Sequence, residues 1–166
     1  MIRPVSPADA EAICAIYNYY VENTAITFEE EKISVAEMEN RIHNVVSAYP
    51  WLVFEEDTGL AGYAYVQRWR ERASYRFSAE DSVYVHKDFL GRGIGAALLE
   101  RLLDEVKKTS VHAVVAGITI PNDRSIALHE KFGFTKIAEF KEIGFKLNTW
   151  LGVGFWELII EKGKSI

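Results

Sequence analysis

The sequence predicts an α/β (α+β) domain in which a mixed, mostly antiparallel central sheet carries helices on both faces. Two segments with helical periodicity come first, a run of short apolar strands follows, and the chain closes with a strand–helix–strand–helix–strand unit. The 166 residues have the length of one ordinary domain, and no linker, repeat or low-complexity segment divides them. We therefore expect a single domain over residues 1–166.

The N-terminal region is predicted to form one strand and two helices. Ile2–Val5 has the composition of a short strand, and Ser6 with Asp9 forms a capping-box pattern at the start of the first helix. Ser34 and Glu37 repeat that pattern at the start of a second helix with one apolar side. The polar segment between the two helices is expected to be a loop.

Apolar and aromatic runs predict the strands of the middle of the chain. Trp51–Glu55 and Ala61–Arg68 flank the turn Asp57-Thr58-Gly59, which is the pattern of an antiparallel hairpin. Ala113–Ile118 is apolar without interruption, as in a strand that is buried on both faces. These runs supply the centre of the predicted sheet.

The C-terminal third is predicted to add one helix and two strands. Arg124–Phe132 reads as a short helix, and Gly133 stands where a helix commonly ends. The last two strands are expected at Thr135–Ile143 and Val153–Glu161, with residues 144–152 as their connection.

The middle of the chain places a strand, a glycine turn and a helix in immediate succession. Val83 and Val85 alternate with Tyr84 as in a half-buried strand, the cluster Gly91-Arg92-Gly93-Ile94-Gly95 follows, and helical apolar spacing begins at Ile94. Glycines at such a junction let backbone N–H groups approach a ligand, and the positive end of the helix dipole favours an anion. The stretch therefore predicts a site for a phosphate-bearing ligand.

Several interpretations of this glycine turn compete. A P-loop requires G-x-x-x-x-G-K followed by Ser or Thr, which the chain lacks. Gly91, Gly93 and Ala96 satisfy the looser dinucleotide pattern G-x-G-x-x-A, but the acidic ribose ligand expected about 20 residues later is missing from Ala113–Ile118. A nicotinamide-dependent Rossmann enzyme is therefore a weak alternative, and a plain turn before a core helix is another.

Composition excludes several other classes of function. The balance of 19 basic and 24 acidic residues gives a net charge of −5, which offers no general attraction to nucleic acid or anionic membranes. Cys14 is the single cysteine, so neither an intrachain disulfide nor a cysteine-based metal cluster is expected. The N-terminus lacks a signal pattern, and no apolar run approaches the roughly 18 residues of a membrane span. We expect a cytoplasmic protein that binds neither nucleic acid nor membrane.

Two motifs resemble those of the GNAT-type acyltransferases. Gly93 and Gly95 fill the glycine positions of the acetyl-coenzyme A pyrophosphate loop, while Leu90 departs from the usual Gln or Arg at its start. The segment NDRSIALHEKFGF is similar to the part of that family in which Asn begins a helix that ends near Gly-Phe. The segments ITFEE, WRERASYRFSAEDSVYV and GFWEL resemble the phosphinothricin N-acetyltransferase (methionine sulfoximine/sulfone acetyltransferase) group, so the resemblance spans nearly the whole chain.

This resemblance implies a fold and a co-substrate. In the GNAT fold the central strand splays from its neighbour after a bulge, and its free backbone groups pair with the pantetheine arm of acetyl-coenzyme A like an added strand. No metal is implied. The positions that match the coenzyme-binding residues of the family are Val83, Tyr84, Val85, Gly91, Arg92, Gly93, Ile94, Gly95, Ala96, Asn122, Ser125 and Lys131.

The resemblance also implies a catalytic mechanism by direct attack. Glu80 lies where the family has its catalytic glutamate, and it would act as the general base that removes a proton from the amine. His129 occupies the place of a tyrosine that serves many of these enzymes as a proton donor to the thiolate. An exposed surface carboxylate and a histidine that is satisfied by packing are the respective alternatives.

Substrate recognition is expected from an arginine-rich segment ahead of the central strand. The segment from Arg68 to Arg76 contains four arginines, counting both ends. They form either a solvated basic loop or a surface that faces an anionic group of the substrate. The positions that match the family are Phe28, Glu29, Trp69, Arg72, Tyr75 and Arg76, whereas Gly152 stands where the group often has Asp.

The resemblance implies N-acetylation of the α-amine of a small amino-acid-like compound such as phosphinothricin, methionine sulfoximine or methionine sulfone, carried out by a homodimer. An acetyltransferase for a different small amine and a non-catalytic acyl-coenzyme A-binding regulator are the alternatives.

Overall fold

The computed structural model describes residues 1–161, which form one seven-stranded sheet and four α-helices. The strands are β1 (Ile2–Pro4), β2 (Trp51–Glu56), β3 (Gly59–Arg68), β4 (Ser78–Val85), β5 (Ala113–Ile120), β6 (Thr135–Lys146) and β7 (Thr149–Ile159). The helices are α1 (Ala10–Asn23), α2 (Val35–Val46), α3 (Ile94–Val106) and α4 (Asp123–Lys131). The sheet order is β1-β2-β3-β4-β5-β7-β6, and only β4 and β5 are parallel neighbours. The predicted fold class is confirmed.

Helices cover both faces of this sheet and divide the core into two clusters. On one face, here called the α3 face, Leu98, Leu99 and Leu102 of α3 are fully buried against the middle strands. On the other, the α1 face, α1 and α2 bury Ile13 and Met38 against β2 and β3. Burial of one such side chain contributes about 1.5–3 kcal/mol, so both layers hold the central strands in place.

The helix starts follow the sequence patterns. The backbone N–H of Ser6 donates to the Asp9 carboxylate at 2.7 Å, which is one half of the predicted capping box. The hydroxyl of Ser34 accepts a hydrogen bond from the backbone N–H of Glu37 at 3.1 Å and begins α2. These local contacts explain why both helices begin close to the predicted positions.

Strands β4 and β5 separate after a short parallel stretch. They pair only between Ser78–Glu80 and Ala113–Val115, although both strands continue beyond it. The pairing of β3 with β4 runs without a register shift from Arg68 to Gly62, so the expected bulge in the central strand is wrong. The strands splay because their parallel pairing stops, and within residues 1–161 the edge of β4 that faces β5 has no strand partner after Glu80.

The C-terminal hairpin is longer than the sequence predicts. β6 and β7 extend to Lys146 and Thr149 and are joined by a two-residue turn, so the expected connection over residues 144–152 is wrong. Leu147 and Asn148 have φ angles of 51° and 58°, the left-handed conformation that fits the twist of a tight hairpin. This turn lacks the glycine that usually marks such a conformation in a sequence.

The segment between α1 and α2 is a loop, as predicted, and Lys146 fixes it to the hairpin. The buried Nζ of Lys146 donates to the carbonyl oxygens of Val21 at 2.7 Å and Thr27 at 2.8 Å. Burial lowers the pKa of Lys146 from its ordinary value. The ring of Phe28 lies over Gly144, where a Cβ atom would be 2.2 Å away from it. The loop therefore stands over the end of the β6–β7 hairpin.

Among the helices of residues 1–161, none has the length and apolar character that a membrane span requires.

Candidate active site

A groove opens where β4 and β5 separate. One wall is the splayed end of β4, and the others are the first turns of α3 and α4. Predicted coenzyme-binding residues that line this groove are Val83, Tyr84, Val85, Gly91, Gly93, Ile94, Gly95, Ala96, Asn122 and Ser125. Their common position shows that the two sequence motifs, which are far apart in the chain, meet at one site.

Two of the predicted coenzyme-binding side chains point elsewhere. The guanidinium of Arg92 lies over the ring of Phe89, 4.9 Å from its centroid, and the ammonium of Lys131 lies over Phe132 at 5.6 Å. Neither side chain lines the groove in this structure. The backbone N–H of Arg92 remains within the glycine turn.

The glycine turn presents backbone donors at the start of α3. Gly91 and Gly93 both have φ of 78°, and Gly93 is the N-cap residue of the helix. The first helical hydrogen bond runs from the Ala97 N–H to the Gly93 carbonyl at 3.0 Å, so the N–H groups of residues 94–96 precede it and have no helical acceptor. Free N–H groups and the helix dipole together make a site for an anion.

The second motif begins α4 with a side-chain cap. Asn122 is the N-cap residue, and its Oδ1 accepts a hydrogen bond from the Ser125 N–H at 3.2 Å. Both residues face the groove and the narrow cleft between β4 and β5. The cap therefore holds these two polar side chains at the end of the cleft.

The free edge of β4 has one additional partner from α1. The hydroxyl of Tyr20 donates a hydrogen bond to the carbonyl oxygen of Val85, the last residue of β4. Tyr20 also packs edge-on against Tyr84, with ring centroids 5.3 Å apart. The contact holds the end of the splayed strand against α1 and adds Tyr20 to the groove wall.

Glu80 lies at the point of separation and faces the α1 side of the sheet. It pairs with Gln67 and belongs to the same row of β4 as Ser82 and Tyr84. Its carboxylate has no hydrogen bond to any group within residues 1–161. Burial, and next the charge of Asp81, raise the pKa of Glu80 from 4.5 to about 7, although Arg70 acts in the opposite direction. Such a carboxyl group is suited to exchange protons at neutral pH.

Asp81 faces the opposite side of β4 and meets His129 of α4. The Oδ2 atom of Asp81 lies 2.9 Å from Nε2 of His129, and the Nδ1 atom of His129 lies 2.7 Å from the carbonyl oxygen of Ser125. Both side chains are buried, with 6% and 4% of Asp81 and His129 exposed. Burial alone lowers the pKa of His129, but its hydrogen bond to Asp81 and the charge of Asp81 outweigh burial and raise that pKa overall.

An aromatic wall stands beside Glu80 on the α1 face. Gly117 of β5 is opposite Phe155 of β7, and a Cβ atom at Gly117 would lie 3.0 Å from Oε1 of Glu80 and 3.3 Å from Phe155. The ring of Phe155 packs edge-on against Trp69 at 5.6 Å and against Phe140 at 5.9 Å between centroids. Only a residue without a side chain fits at this position without displacing Glu80 or Phe155.

The predicted substrate-binding residues are spread around this wall. Trp69 belongs to it, whereas Arg72 and Tyr75 are exposed in the turn before β4. The exposed Arg76 donates to the Ala73 carbonyl at 3.2 Å, with its guanidinium 4.4 Å from the ring centroid of Phe77. In the loop after α1, Glu29 is ion-paired with Arg41 at 2.8 Å, and Phe28, the other predicted residue of that loop, lies over Gly144.

Together, the fold and the groove between two splayed parallel strands define the class of acyltransferases. Residues 2–152 match the protein family described as acetyltransferase (GNAT) domain. The chain therefore belongs to the GNAT acetyltransferase family. The predicted family, fold and acetyl-coenzyme A-dependent N-acetyltransferase activity are confirmed.

Similar proteins narrow the group within the family. The phosphinothricin N-acetyltransferase of Streptomyces viridochromogenes is 36% identical over 156 residues, which are 94% of this chain and 85% of that protein. The L-methionine sulfoximine/L-methionine sulfone acetyltransferase of Salmonella typhimurium is 37% identical over 165 residues, 97% of this chain and 95% of that protein. A phosphinothricin acetyltransferase of Sinorhizobium meliloti, solved in complex with acetyl-coenzyme A, has a TM-score of 0.94. It is 34% identical, and the match covers 100% of this chain and 91% of that one.

The structure adds residues that the sequence motifs do not single out. Tyr20 reaches the groove from α1, and Phe155, within the segment GFWEL, is brought beside Gly117 by the pairing of β5 with β7. Gly117 carries one usable signal, because a glycine inside an apolar strand often marks close approach of another group. The pairing of Asp81 with His129 has no sequence signal, since 48 residues separate them.

Proposed function

We propose that the protein transfers the acetyl group of acetyl-coenzyme A to the α-amine of a small amino-acid-like substrate, with Glu80 as the general base. Phosphinothricin, methionine sulfoximine and methionine sulfone are the compounds that the names of the similar proteins point to. The observation that carries the proposal is the position of the Glu80 carboxylate beside Gly117, at the point where β4 and β5 separate, where burial raises its pKa to about 7.

The proposed reaction needs a base because an α-amine is mostly protonated at neutral pH. Glu80 accepts one proton from the ammonium group, and the neutral nitrogen then attacks the thioester carbonyl, so that a C–N bond forms and the C–S bond breaks. The nitrogen releases its second proton to solvent as the amide forms, and the departing thiolate takes up one proton. The carboxylate of Glu80, which lies beside Gly117 and the ring of Phe155, supports placing the amine on the α1 face of β4.

His129 is proposed as the proton donor for that thiolate. It lines the cleft between β4 and β5 together with Gly117 and Asn122. Its Nδ1 atom donates to a carbonyl, and Nε2 faces the carboxylate of Asp81, so the geometry suits an imidazolium. The acid and the base then lie on opposite faces of β4, with the strand between them.

Acetyl-coenzyme A is proposed to bind along the groove. The free edge of β4 at Val83–Val85 would pair with the pantetheine arm, and the N–H groups of residues 91–96 would hold the pyrophosphate. Asn122 and Ser125 would contact the arm at the cleft. The side chains of Arg92 and Lys131 would also contact acetyl-coenzyme A. To do so, they must move away from the rings of Phe89 and Phe132, respectively.

The substrate carboxylate or its polar end is proposed to pair with the arginines before β4. Arg76 and Arg72 are exposed, hence free to reorient toward an anion, and Trp69 would pack on the substrate. Further contacts that flank the substrate are proposed for Tyr75, Phe28 and Glu29.

The substrate proposal is tested with Arg76→Ala, beside Arg101→Ala as a control in an exposed ion pair of α3. Arg76→Ala should lower kcat/KM for phosphinothricin by about 30-fold or more, which corresponds to the lower end of about 2–5 kcal/mol for a buried charged contact. Arg101→Ala should leave it unchanged. Equal values for both variants, or faster acetylation of spermidine than of these amino acids, would show that the substrate assignment is wrong.

A homodimer is proposed from the apolar surface of the C-terminal hairpin. Large apolar side chains that are at least half exposed here are Ile137, Phe140, Ile143, Phe145, Leu147 and Trp150. Such a patch on an edge strand supports association with a second copy. We also propose that the protein acts in the cytoplasm and without nucleic acid, supported by the single cysteine and the net charge of −5.

The activity itself is tested by a turnover screen with acetyl-coenzyme A over amino acids, polyamines and aminoglycosides, together with melting temperatures. Acetyl-coenzyme A should raise the melting temperature through preferential binding to the folded state, and NAD should not. Binding without turnover of any amine would favour a non-catalytic regulator. Stabilisation by NAD alone would contradict the proposal.

A further inference from the structure

The side chains of Glu80 and Asp81 are neighbours in sequence but lie on opposite faces of β4. In the antiparallel register, Glu80 is opposite Gln67 in the row of Tyr63 and Tyr84, which pack under α1. Asp81 is opposite Val66, which is buried under α3. The carboxylate of Asp81 therefore lies close enough to interact with both Glu80, the proposed base, and His129 of α4.

Asp81 depends on His129 for its hydrogen bonding. Its Oδ2 atom is 2.9 Å from Nε2 of His129, and its Oδ1 atom is buried without a hydrogen-bond partner among residues 1–161. An ionised carboxylate buried in this way requires an opposite charge nearby. The imidazole supplies it only in the protonated form.

His129 is correspondingly fixed by its surroundings. Its Nδ1 atom meets the Ser125 carbonyl at 2.7 Å and lies 3.4 Å from the Ser125 hydroxyl, and the ring of Phe134 packs edge-on at 5.1 Å between centroids. A carbonyl oxygen only accepts, so Nδ1 carries a proton, and a proton at Nε2 then makes the ring cationic. Asp81 is the charged group that faces it.

We propose that Asp81 is a positioning residue for acetyl transfer: its charge keeps His129 in the doubly protonated, doubly hydrogen-bonded form on one face of β4 and acts on Glu80 on the other. The inference rests on the proposed roles of Glu80 as base and His129 as acid. The titratable groups that interact with Glu80 are Asp81 across its own strand, Arg70 from the preceding loop and Tyr65 from β3. Asp81 acts through its two neighbours and needs no contact with the substrate.

The signs of the two effects agree. A negative charge beside Glu80 disfavours its ionisation and raises its pKa, and the same charge beside His129 favours the imidazolium and raises its pKa. Removing the charge lowers both pKa values. With Asp81 neutral, the effect of burial on His129 is no longer outweighed, so the ring becomes neutral more readily.

Asp81→Asn removes the charge while keeping the shape. The amide nitrogen of an asparagine can donate to a neutral Nε2, so the contact between β4 and α4 is preserved. A purely structural role for Asp81 would therefore be largely retained by this variant. Asp104→Asn, at an exposed ion pair of α3 with Lys107 at 2.9 Å, is the matched control.

The test combines ¹⁵N NMR titration of the His129 ring with pH profiles of kcat/KM. In the wild-type protein and in Asp104→Asn, both ring nitrogens should be protonated at neutral pH, whereas Asp81→Asn should shift the titration of the ring to lower pH. The acidic limb of the kcat/KM profile should also move to lower pH, so that the ratio of rates near pH 6 and pH 8 rises about threefold or more.

Two results would overturn the inference. A wild-type His129 that titrates at or below the ordinary range of histidine would do so without any variant, even if Asp81→Asn failed to fold. An Asp81→Asn protein in which neither the ring titration nor the acidic limb moves would do the same. Because the NMR titration needs no turnover, a wild-type protein that acetylates no amine would refute the proposed function and leave this measurement interpretable.

Discussion

Glu80 and Gly117 face each other across the point at which β4 and β5 separate. A Cβ atom on Gly117 would lie 3.0 Å from Oε1 of Glu80, closer than nine in ten real contacts of that kind. The absence of a side chain on β5 thus lets the carboxylate pack close to the β5 backbone.

Gly117→Ala should lower kcat/KM by about 10-fold or more, because the methyl group displaces Glu80 from its position beside the amine. The dissociation constant of acetyl-coenzyme A should change little, since Gly95 and the rest of the glycine turn are on the far side of the groove. Steady-state kinetics and calorimetry measure the two effects separately. Unchanged turnover in this variant would mean that Glu80 does not act from its position beside Gly117.

The role of the glycine turn can be tested at Gly93, with Gly59 as the control position. Gly93 and Gly59 both have positive φ, 78° and 126°, and a Cβ atom at either would meet no atom within 4 Å. Alanine at Gly93 should therefore destabilise the fold by roughly 1–2 kcal/mol from the backbone conformation alone, and alanine at Gly59 by at least as much because its φ lies further from the left-handed helical region.

Only Gly93→Ala should impair ligand binding. Gly93 is the N-cap residue of α3 at the groove, whereas Gly59 is the first residue of β3, next to the β2–β3 turn. The rise in melting temperature with acetyl-coenzyme A should be largely lost in Gly93→Ala and retained in Gly59→Ala. An equal rise in both variants would remove the glycine turn from the site.

Lys146 is predicted to order the loop that carries Phe28. Lys146→Met keeps the apolar stem but removes two hydrogen bonds, one to the carbonyl of Val21 in α1 and one to that of Thr27 in the loop, which should destabilise the protein by about 1–3 kcal/mol. KM for the amine should rise because Phe28 is no longer held over Gly144, while KM for acetyl-coenzyme A stays the same. A parallel change in both constants would place the loop outside the amine site.

Sequence patterns located the parts of this protein whose structure depends on neighbours in the chain. The glycine turn, the capped helices and the run of β5 each carry a local signal in residues such as Gly93 and Ser34, and the structure has them there. The turn at Leu147 and Asn148 was missed because its left-handed residues are not glycine. The bulge expected in the central strand was wrong because the splay arises from where the β4–β5 pairing ends.

In the candidate active site, too, some features have a local sequence signal and others depend on contacts between distant segments. Motif resemblance predicted Glu80 and His129 as the catalytic pair, but the register of β4 decides which face Glu80 and Asp81 take. The pairing of Asp81 with His129 and the wall formed by Phe155 depend on contacts between distant segments. No local pattern of residues encodes such contacts, so only the folded structure reveals them.

The raised pKa of Glu80 predicts a stability effect of known sign. A carboxyl group whose pKa is higher in the folded than in the unfolded state stabilises the fold below the unfolded value and loses that contribution as pH rises to the folded value. For Glu80 that window runs from 4.5 to about 7. Above it, Glu80→Gln should be more stable than the wild type by about 1–3 kcal/mol, and below it the two should converge. Denaturant unfolding at pH 4.5 and pH 8 checks this, and a difference that does not depend on pH would contradict it.

The assignment of Glu80 as the general base is tested most directly by the pH profile of kcat/KM for Glu80→Gln and for the wild type. Binding of acetyl-coenzyme A is the control. The wild-type rate should fall as pH drops below about 7, where Glu80 becomes protonated. The variant should bind acetyl-coenzyme A normally but turn over about 100-fold more slowly near neutral pH, with a smaller deficit at high pH where free amine is abundant. Wild-type turnover by Glu80→Gln across that pH range would contradict the assignment of Glu80 as the base.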